Sequence, residues 1–276
     1  MPLKTTLFAV LCLLALAPIA CTAEENASEG DSGASTSSDS GAGAATDEGA
    51  GGNSDERENL RARLKEARPQ LEIASIRDTP VSGIYEVISG GGVYYVSANA
   101  RYLFSGDLIN LEEGRNLTDD RRADIAHDVV ADLDRSDMVV FEPANGPAEN
   151  HLTVFTDHTC PYCQRLHEEV LQMVEEYPVE VRYAMYPRAG PDSEAADTLR
   201  DVWCAEDPAR ALTAAKEGRS VPSRPSGCET PLDAHWQAAQ AIGVRGTPYI
   251  VVGDDGPIVP GYRPRKTLLS MMGISE

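Results

Sequence analysis

Two cysteines separated by two residues, Cys160 and Cys163, follow an apolar run, Leu152–Thr156, and precede residues with helical spacing: Gln164, Leu166, His167, Val170, Leu171 and Val174. A strand, then Cys-x-x-Cys, then a helix sets the first thiol against unsatisfied backbone N–H groups at the positive end of a helix dipole. That setting favours thiolate, the nucleophile of disulfide exchange. Pro161 suits the first helical turn, where its missing N–H costs nothing. Cys-x-x-Cys is also half of a zinc site. No second close pair completes one, because Cys204 and Cys228 stand apart. The expectation is dithiol redox chemistry with no metal and no cofactor, Cys160 being the exposed nucleophile and Cys163 the resolving thiol.

Other residues could assist. Gly246-Thr247-Pro248 precedes the apolar run Tyr249–Val252. In thioredoxin-like folds a cis-proline faces the Cys-x-x-Cys and presents the preceding backbone to an extended substrate, which makes Thr247 and Pro248 candidate substrate-binding residues. Taken alone, Thr-Pro before a strand is more often a plain trans turn; with an upstream Cys-x-x-Cys and intervening helices, the cis form is the expectation. His158 is either a protonated partner of the Cys160 thiolate or an exposed loop residue. His167, on the helix, reads as a surface or packing residue, and Trp203 and Trp236 as core or rim.

The N-terminus reads as an export signal over residues 1–21: Lys4, the apolar run Leu7–Leu16, then Pro18-Ile19-Ala20-Cys21. A small residue before a cysteine resembles a bacterial lipoprotein cleavage site, with Cys21 lipidated; the alternative is ordinary cleavage after Ala20 or Ala23. With Cys12 lost in the signal, four cysteines remain beyond Cys21. In an oxidising compartment that suggests a redox pair plus one structural disulfide, Cys204–Cys228, against the alternative of a second exchange-active pair.

The formal net charge of -20 argues against nucleic acid and against adsorption to anionic lipid. Residues 22–56 contain no large apolar side chain and no basic residue, so a disordered acidic tether is expected. Beyond it, Leu60 and Leu64 predict a short helix stopped by Pro69. Leu71–Ile76, Val81–Ser89, Gly91–Ser97 and Arg101–Asn110 read as the strands of a small antiparallel meander, too thin to be stable without a partner. Thr118 is the expected cap of a helix running to about Arg135. Then come strands at Met138–Phe141, Leu152–Thr156 and Val179–Tyr186 around the helix that follows Cys160. Helices at Ser193–Cys204, Pro208–Glu217 and Leu232–Ile242 form an insertion, and two short strands and a helix close the chain. The fold class is α+β / α/β.

From about residue 57 to its end the chain resembles the periplasmic protein disulfide isomerases of the DsbC type, and less closely their DsbG relatives. The resemblance rests on Val154-Phe155-Thr156-Asp157 ahead of Cys160 and Cys163, and on Val181-Arg182-Tyr183 leading to Tyr186-Pro187-Arg188. Trp203-Cys204-Ala205, Gly246-Thr247-Pro248 and Val259-Pro260-Gly261-Tyr262 follow in order. It implies a dimerisation domain (57–115), a linker helix (116–137) and a thioredoxin-like catalytic domain with a helical insertion (138–276), paired as a V-shaped homodimer. It also implies that Cys204 and Cys228 are structural, and that a membrane electron transporter of the DsbD type keeps Cys160 and Cys163 reduced. Two features depart from the type: Pro161 stands where Gly is usual, and the lipid anchor and tether are additional. The expected function is rearrangement or reduction of incorrect disulfides in exported proteins, in the periplasm and on a lipid anchor. The alternatives are a dimeric chaperone or client-binding module, and a DsbG-like reductase that protects single cysteines from oxidation.

Overall fold

A computed structural model describes residues 52–275, so the export signal, Cys21 and residues 22–51 of the expected tether lie outside the described residues. The remaining tether residues, 52–56, are helical. Helix α1 (Gly52–Ala67) starts ahead of the expected boundary, and its early turns are held to the sheet. The Tyr85 hydroxyl donates to Glu56 at 2.6 Å, and Arg57 pairs with Asp78. Leu60 and Leu64 then pack on Ile76, Tyr85, Val87 and Val96.

That sheet is an antiparallel meander of β1 (Ile73–Asp78), β2 (Ile84–Ser89), β3 (Gly92–Ser97) and β4 (Leu103–Phe104). Alternation gives it two faces: Tyr85 and Val87 meet α1, whereas Ile84 and Ile88 point the other way with Val93 and Tyr95. The stretch Arg101–Asn110, expected as one strand, is two. β4 stops at Phe104, and β5 (Ile109–Asn110) pairs instead with β6 (Arg115–Asn116). The backbone of Leu108 explains the break: its N–H donates to Thr118 Oγ1 at 2.7 Å, and its carbonyl accepts from Leu117 N at 2.9 Å.

The same contact moves the helix cap. Helix α2 (Leu117–Ala131) is capped by Asn116, which accepts from Thr118 N and Asp119 N, and not by Thr118. The Thr118 hydroxyl is buried and shared with the Tyr95 hydroxyl at 2.6 Å, so it is unavailable as a cap. The helix ends at Ala131, short of the expected Arg135, and a single 3-10 turn (Arg135–Asp137) follows.

The second sheet has the order β11-β10-β8-β9-β7. It is built from β7 (Val139–Phe141), β8 (Asn150–Thr156), β9 (Val179–Met185), β10 (Tyr249–Val252) and β11 (Ile258–Pro260). Only β8 and β9 are parallel, as the crossover helix α3 (Pro161–Glu176) requires. Helices α4 (Glu194–Trp203), α5 (Pro208–Lys216) and α6 (Leu232–Ala241) are inserted between β9 and β10, and α7 (Arg265–Met271) closes the chain. Strand alternation divides the core in two: Leu152, Val154, Val181, Tyr183, Met185 and Ile250 face α3, α4, α5 and α7, while Phe155, Ala184, Tyr249 and Val251 face α6 and α2. The β2–β3 turn reaches the loop after α6, where bare backbone meets bare backbone. A Cβ on Gly91 (φ +70°) would lie 2.3 Å from Gly243 N, so no side chain fits there.

Candidate dithiol site

β8 delivers the chain to the site and one carboxylate shapes the turn that follows. Asp157 is buried, and its Oδ1 accepts from Thr159 N at 2.8 Å and Thr159 Oγ1 at 2.7 Å. Its Oδ2 accepts from Arg188 N at 2.9 Å and Nε at 3.2 Å, tying the turn to the chain beyond β9. Burial works against this ion, but the Arg188 and Thr159 donors outweigh it and hold the carboxyl below its ordinary range.

The turn ends at Cys160, the N-cap residue of α3, with Pro161 in the first helical turn. Both Cys160 and Cys163 are free thiols. Burial opposes the Cys160 thiolate. The Thr247 side chain, the Cys163 and Tyr162 N–H groups and the Cys163 thiol all favour the anion and prevail, and the Cys160 pKa falls below that of an ordinary thiol. Cys163 goes the other way: burial pushes it up, and the nearby Lys216 charge and hydrogen bonds only partly offset this. The expectation of an exposed Cys160 is overturned, since its residue exposure is 2%. The cause lies in a distant segment: the Cys160 thiol is turned beneath the Thr247 carbonyl and donates to it at 3.2 Å.

The Thr247–Pro248 bond is cis, and the Thr247 hydroxyl is buried with no hydrogen-bond partner of its own, which leaves it free to serve sulfur. Cys204 and Cys228 are joined as a disulfide between the end of α4 and the segment before α6, so neither offers a second dithiol or completes a zinc site. His158 fits neither of its two readings. It is half-buried, burial lowers its pKa despite the Asp157 charge 4.0 Å away, and it is neutral at neutral pH. His167 is buried, pushed down to about 3 by burial and by Lys216, and bonded to the Tyr183 hydroxyl and Thr213 Oγ1 at 3.0 Å each. Trp236 stacks on Tyr186 at the rim of the α6-side core.

Two groups escaped the sequence reading. Lys216, the last residue of α5, is buried with its Nζ donating to Thr156 Oγ1 at 2.7 Å and lying 5.0 Å from the centre of the Tyr183 ring. Asp157 was visible only as part of a run, not as the residue that holds the turn. A cleft of about 1070 Å³ opens between the β2–β3 turn, α2 and the loops flanking β10; it reaches Thr247 but neither cysteine lines it.

Known proteins are similar to this chain along most of the described residues. Residues 42–119 match the disulfide bond isomerase N-terminal domain and residues 137–273 the thioredoxin-like domain. The thiol:disulfide interchange protein DsbC of Dickeya dadantii is 36% identical over 207 residues, covering 73% of this chain and 81% of the relative. That of Escherichia coli K12 is 30% identical over 205 residues, covering 73% and 82%. A crystal structure of a disulfide interchange protein from Neisseria gonorrhoeae is 28% identical with a TM-score of 0.43, covering 51% of this chain and 96% of that one. With one thiol made acidic, its neighbour kept protonated and a relative this similar along most of its length, the chain belongs to the DsbC family of thiol:disulfide interchange proteins and is a thiol–disulfide oxidoreductase.

Proposed function

We propose that the protein rearranges or reduces incorrect disulfides in exported proteins, with Cys160 as the nucleophile and Cys163 as the resolving thiol. The carrying observation is the opposite displacement of the two thiols: Cys160 is lowered at the helix N-terminus and Cys163 is raised beneath it. The Cys160 thiolate attacks one sulfur of a client disulfide, a Cys160–client bond forms, and the other client sulfur leaves as thiolate. That thiolate can attack elsewhere in the client and finally release Cys160, which is isomerisation. Alternatively Cys163 displaces the client, leaving a Cys160–Cys163 disulfide and a client carrying two electrons more. A donor must then return those electrons, a role suited to the DsbD-type membrane transporter that the resemblance implies. Thr247 and Pro248 present backbone to the client chain beside Cys160.

The protein works as a homodimer. Support comes from the edge of the first sheet, where β4 pairs through only two residues and Tyr102, Leu103 and Phe104 are exposed, and from the following β5–β6 hairpin, where Ile109 and Leu111 are exposed. Such an edge is a pairing template, and a second copy covers it. The workplace is the periplasm, with Cys21 as the lipid anchor; the export signal and the family support that reading. Cys163→Ala should trap mixed disulfides with envelope proteins and Cys160→Ala none, on non-reducing gels after acid quench. Equal trapping by both variants would end the assignment of roles.

A further inference from the structure

Resolution needs Cys163 to lose a proton inside the fold, and the mechanism above names nothing to take it. Cys163 is buried, and burial raises its thiol. The polar groups around it come from five segments. β8 and the turn after it bring Thr156, Asp157 and His158. α3 contributes Cys160 and His167, β9 the Tyr183 hydroxyl, α5 Lys216, and the loop before β10 Thr247. Most of these cannot accept the proton. Asp157 is committed to its four donors, His167 to Tyr183 and Thr213, and Tyr183 is raised by burial. Lys216 differs. Its amine is buried, makes no ion pair among the described residues, and reaches Thr156 Oγ1 at 2.7 Å, and the Thr156 side chain and the Lys216 charge both favour the ionised form of Cys163. An ammonium taken from water without a carboxylate partner is costly, and a buried group of this kind gives up its proton more readily.

We propose that Lys216 is the proton acceptor for Cys163, acting through the Thr156 hydroxyl, and so sets how long the mixed disulfide on Cys160 survives. The proposal rests on the roles given to the two cysteines above. As Cys163 attacks Cys160, its S–H proton passes to Thr156 Oγ1 while the Thr156 proton passes to the neutral Lys216 amine. The Cys160–client bond breaks, the Cys160–Cys163 bond forms, and the client leaves as thiolate. Burial brings Lys216 down to about 8, against the charges of Cys163, Asp157 and Cys160, so about a tenth of the amine is neutral and able to accept at pH 7, and more as pH rises. Lys216 touches no client atom. It is a positioning residue that decides between a long-lived adduct, open to isomerisation, and quick resolution, which ends in reduction.

The test is stopped-flow release of glutathione from the mixed disulfide formed on Cys160, across pH 6 to 10, for the wild type, Lys216→Met and Thr156→Val. Alkylation of Cys160 by iodoacetamide runs alongside in a Cys163→Ala background. The wild-type rate should show an inflection near pH 8. Either substitution should slow release by about tenfold or more at pH 7 and move the inflection upward, with Cys160 alkylation unchanged. Unaltered rate and inflection in Lys216→Met, or an equal slowing of Cys160 alkylation, overturns the proposal. Thr156→Val, which keeps the shape of the strand, decides the matter if Lys216→Met does not fold. Absence of any glutathione adduct at Cys160 in the wild type is a different result: it fells the cysteine roles and this proposal together.

Discussion

Replacing Asp157 by Asn tests whether one carboxylate builds the turn that presents Cys160. The carboxylate accepts two hydrogen bonds on each oxygen, from Thr159 and from Arg188. Asn keeps one acceptor oxygen and turns its NH2 toward the other pair of donors. Two hydrogen bonds to a charged group are lost, each about 1.5–3 kcal/mol, so the cost is about 3–6 kcal/mol. The chain has two tryptophans, Trp203 and Trp236, both in the part that carries the site, so tryptophan emission in urea reports that part alone. With a slope of about 1–3 kcal/mol per molar urea, the midpoint should fall by at least about 1 M. The pH dependence gives a second check. The Asp157 pKa is lowered by folding, so its contribution is complete above the ordinary carboxylate value and fades as pH falls through the folded value. The gap between wild type and Asp157→Asn should therefore be constant from pH 5 to 7 and narrow below about pH 4. A gap below about 1 kcal/mol, or one that widens in acid, would refute the reasoning.

Thr247→Val removes a hydroxyl that favours the Cys160 thiolate, so the midpoint of iodoacetamide alkylation against pH should rise; an unmoved midpoint would remove Thr247 from the account. Replacing Cys204 and Cys228 together by Ser opens a link between residues 24 apart and should cost about 3 kcal/mol in urea, with glutathione exchange at Cys160 unchanged. Buried His235 accepts from Met185 N at 3.1 Å, and burial lowers it to about 4. The unfolded state therefore binds more protons between about pH 6.5 and 4, and wild-type stability should fall across that window on acidification. His235→Asn should fall less steeply, and parallel curves would assign the acid sensitivity elsewhere, His167 first.

The dithiol, its helix and the paired strands were legible because each leaves a local trace: apolar alternation, helical spacing and a proline where a helix begins. The departures share one cause, which is that tertiary contacts choose among local candidates. Asn116 and Thr118 both qualify as caps, and only the Tyr95 hydroxyl decides that Thr118 is occupied. Arg101–Asn110 has strand composition throughout, yet Leu108 is drawn off by α2. Cys160 is covered by a carbonyl 87 residues further along the chain. Lys216 sits in an Ala-Ala-Lys-Glu run that reads as a solvated helix end, and only the packing of α5 over the active-site strand makes it a buried cation.

The bond from the Cys160 thiol to the Thr247 carbonyl works as a latch keyed to the sulfur's chemical state. An S–H can fasten it, whereas a thiolate or a disulfide sulfur has no hydrogen to give. Once Cys160 ionises, and for as long as it is held in a disulfide, the carbonyl beside Pro248 is without that donor, in a part-buried setting where a bare acceptor costs free energy. On the cysteine roles proposed above, a client chain attached at Cys160 would bring backbone N–H groups within reach of it. On the same roles, that acceptor would be open to a client from the ionisation of Cys160 until the thiol re-forms.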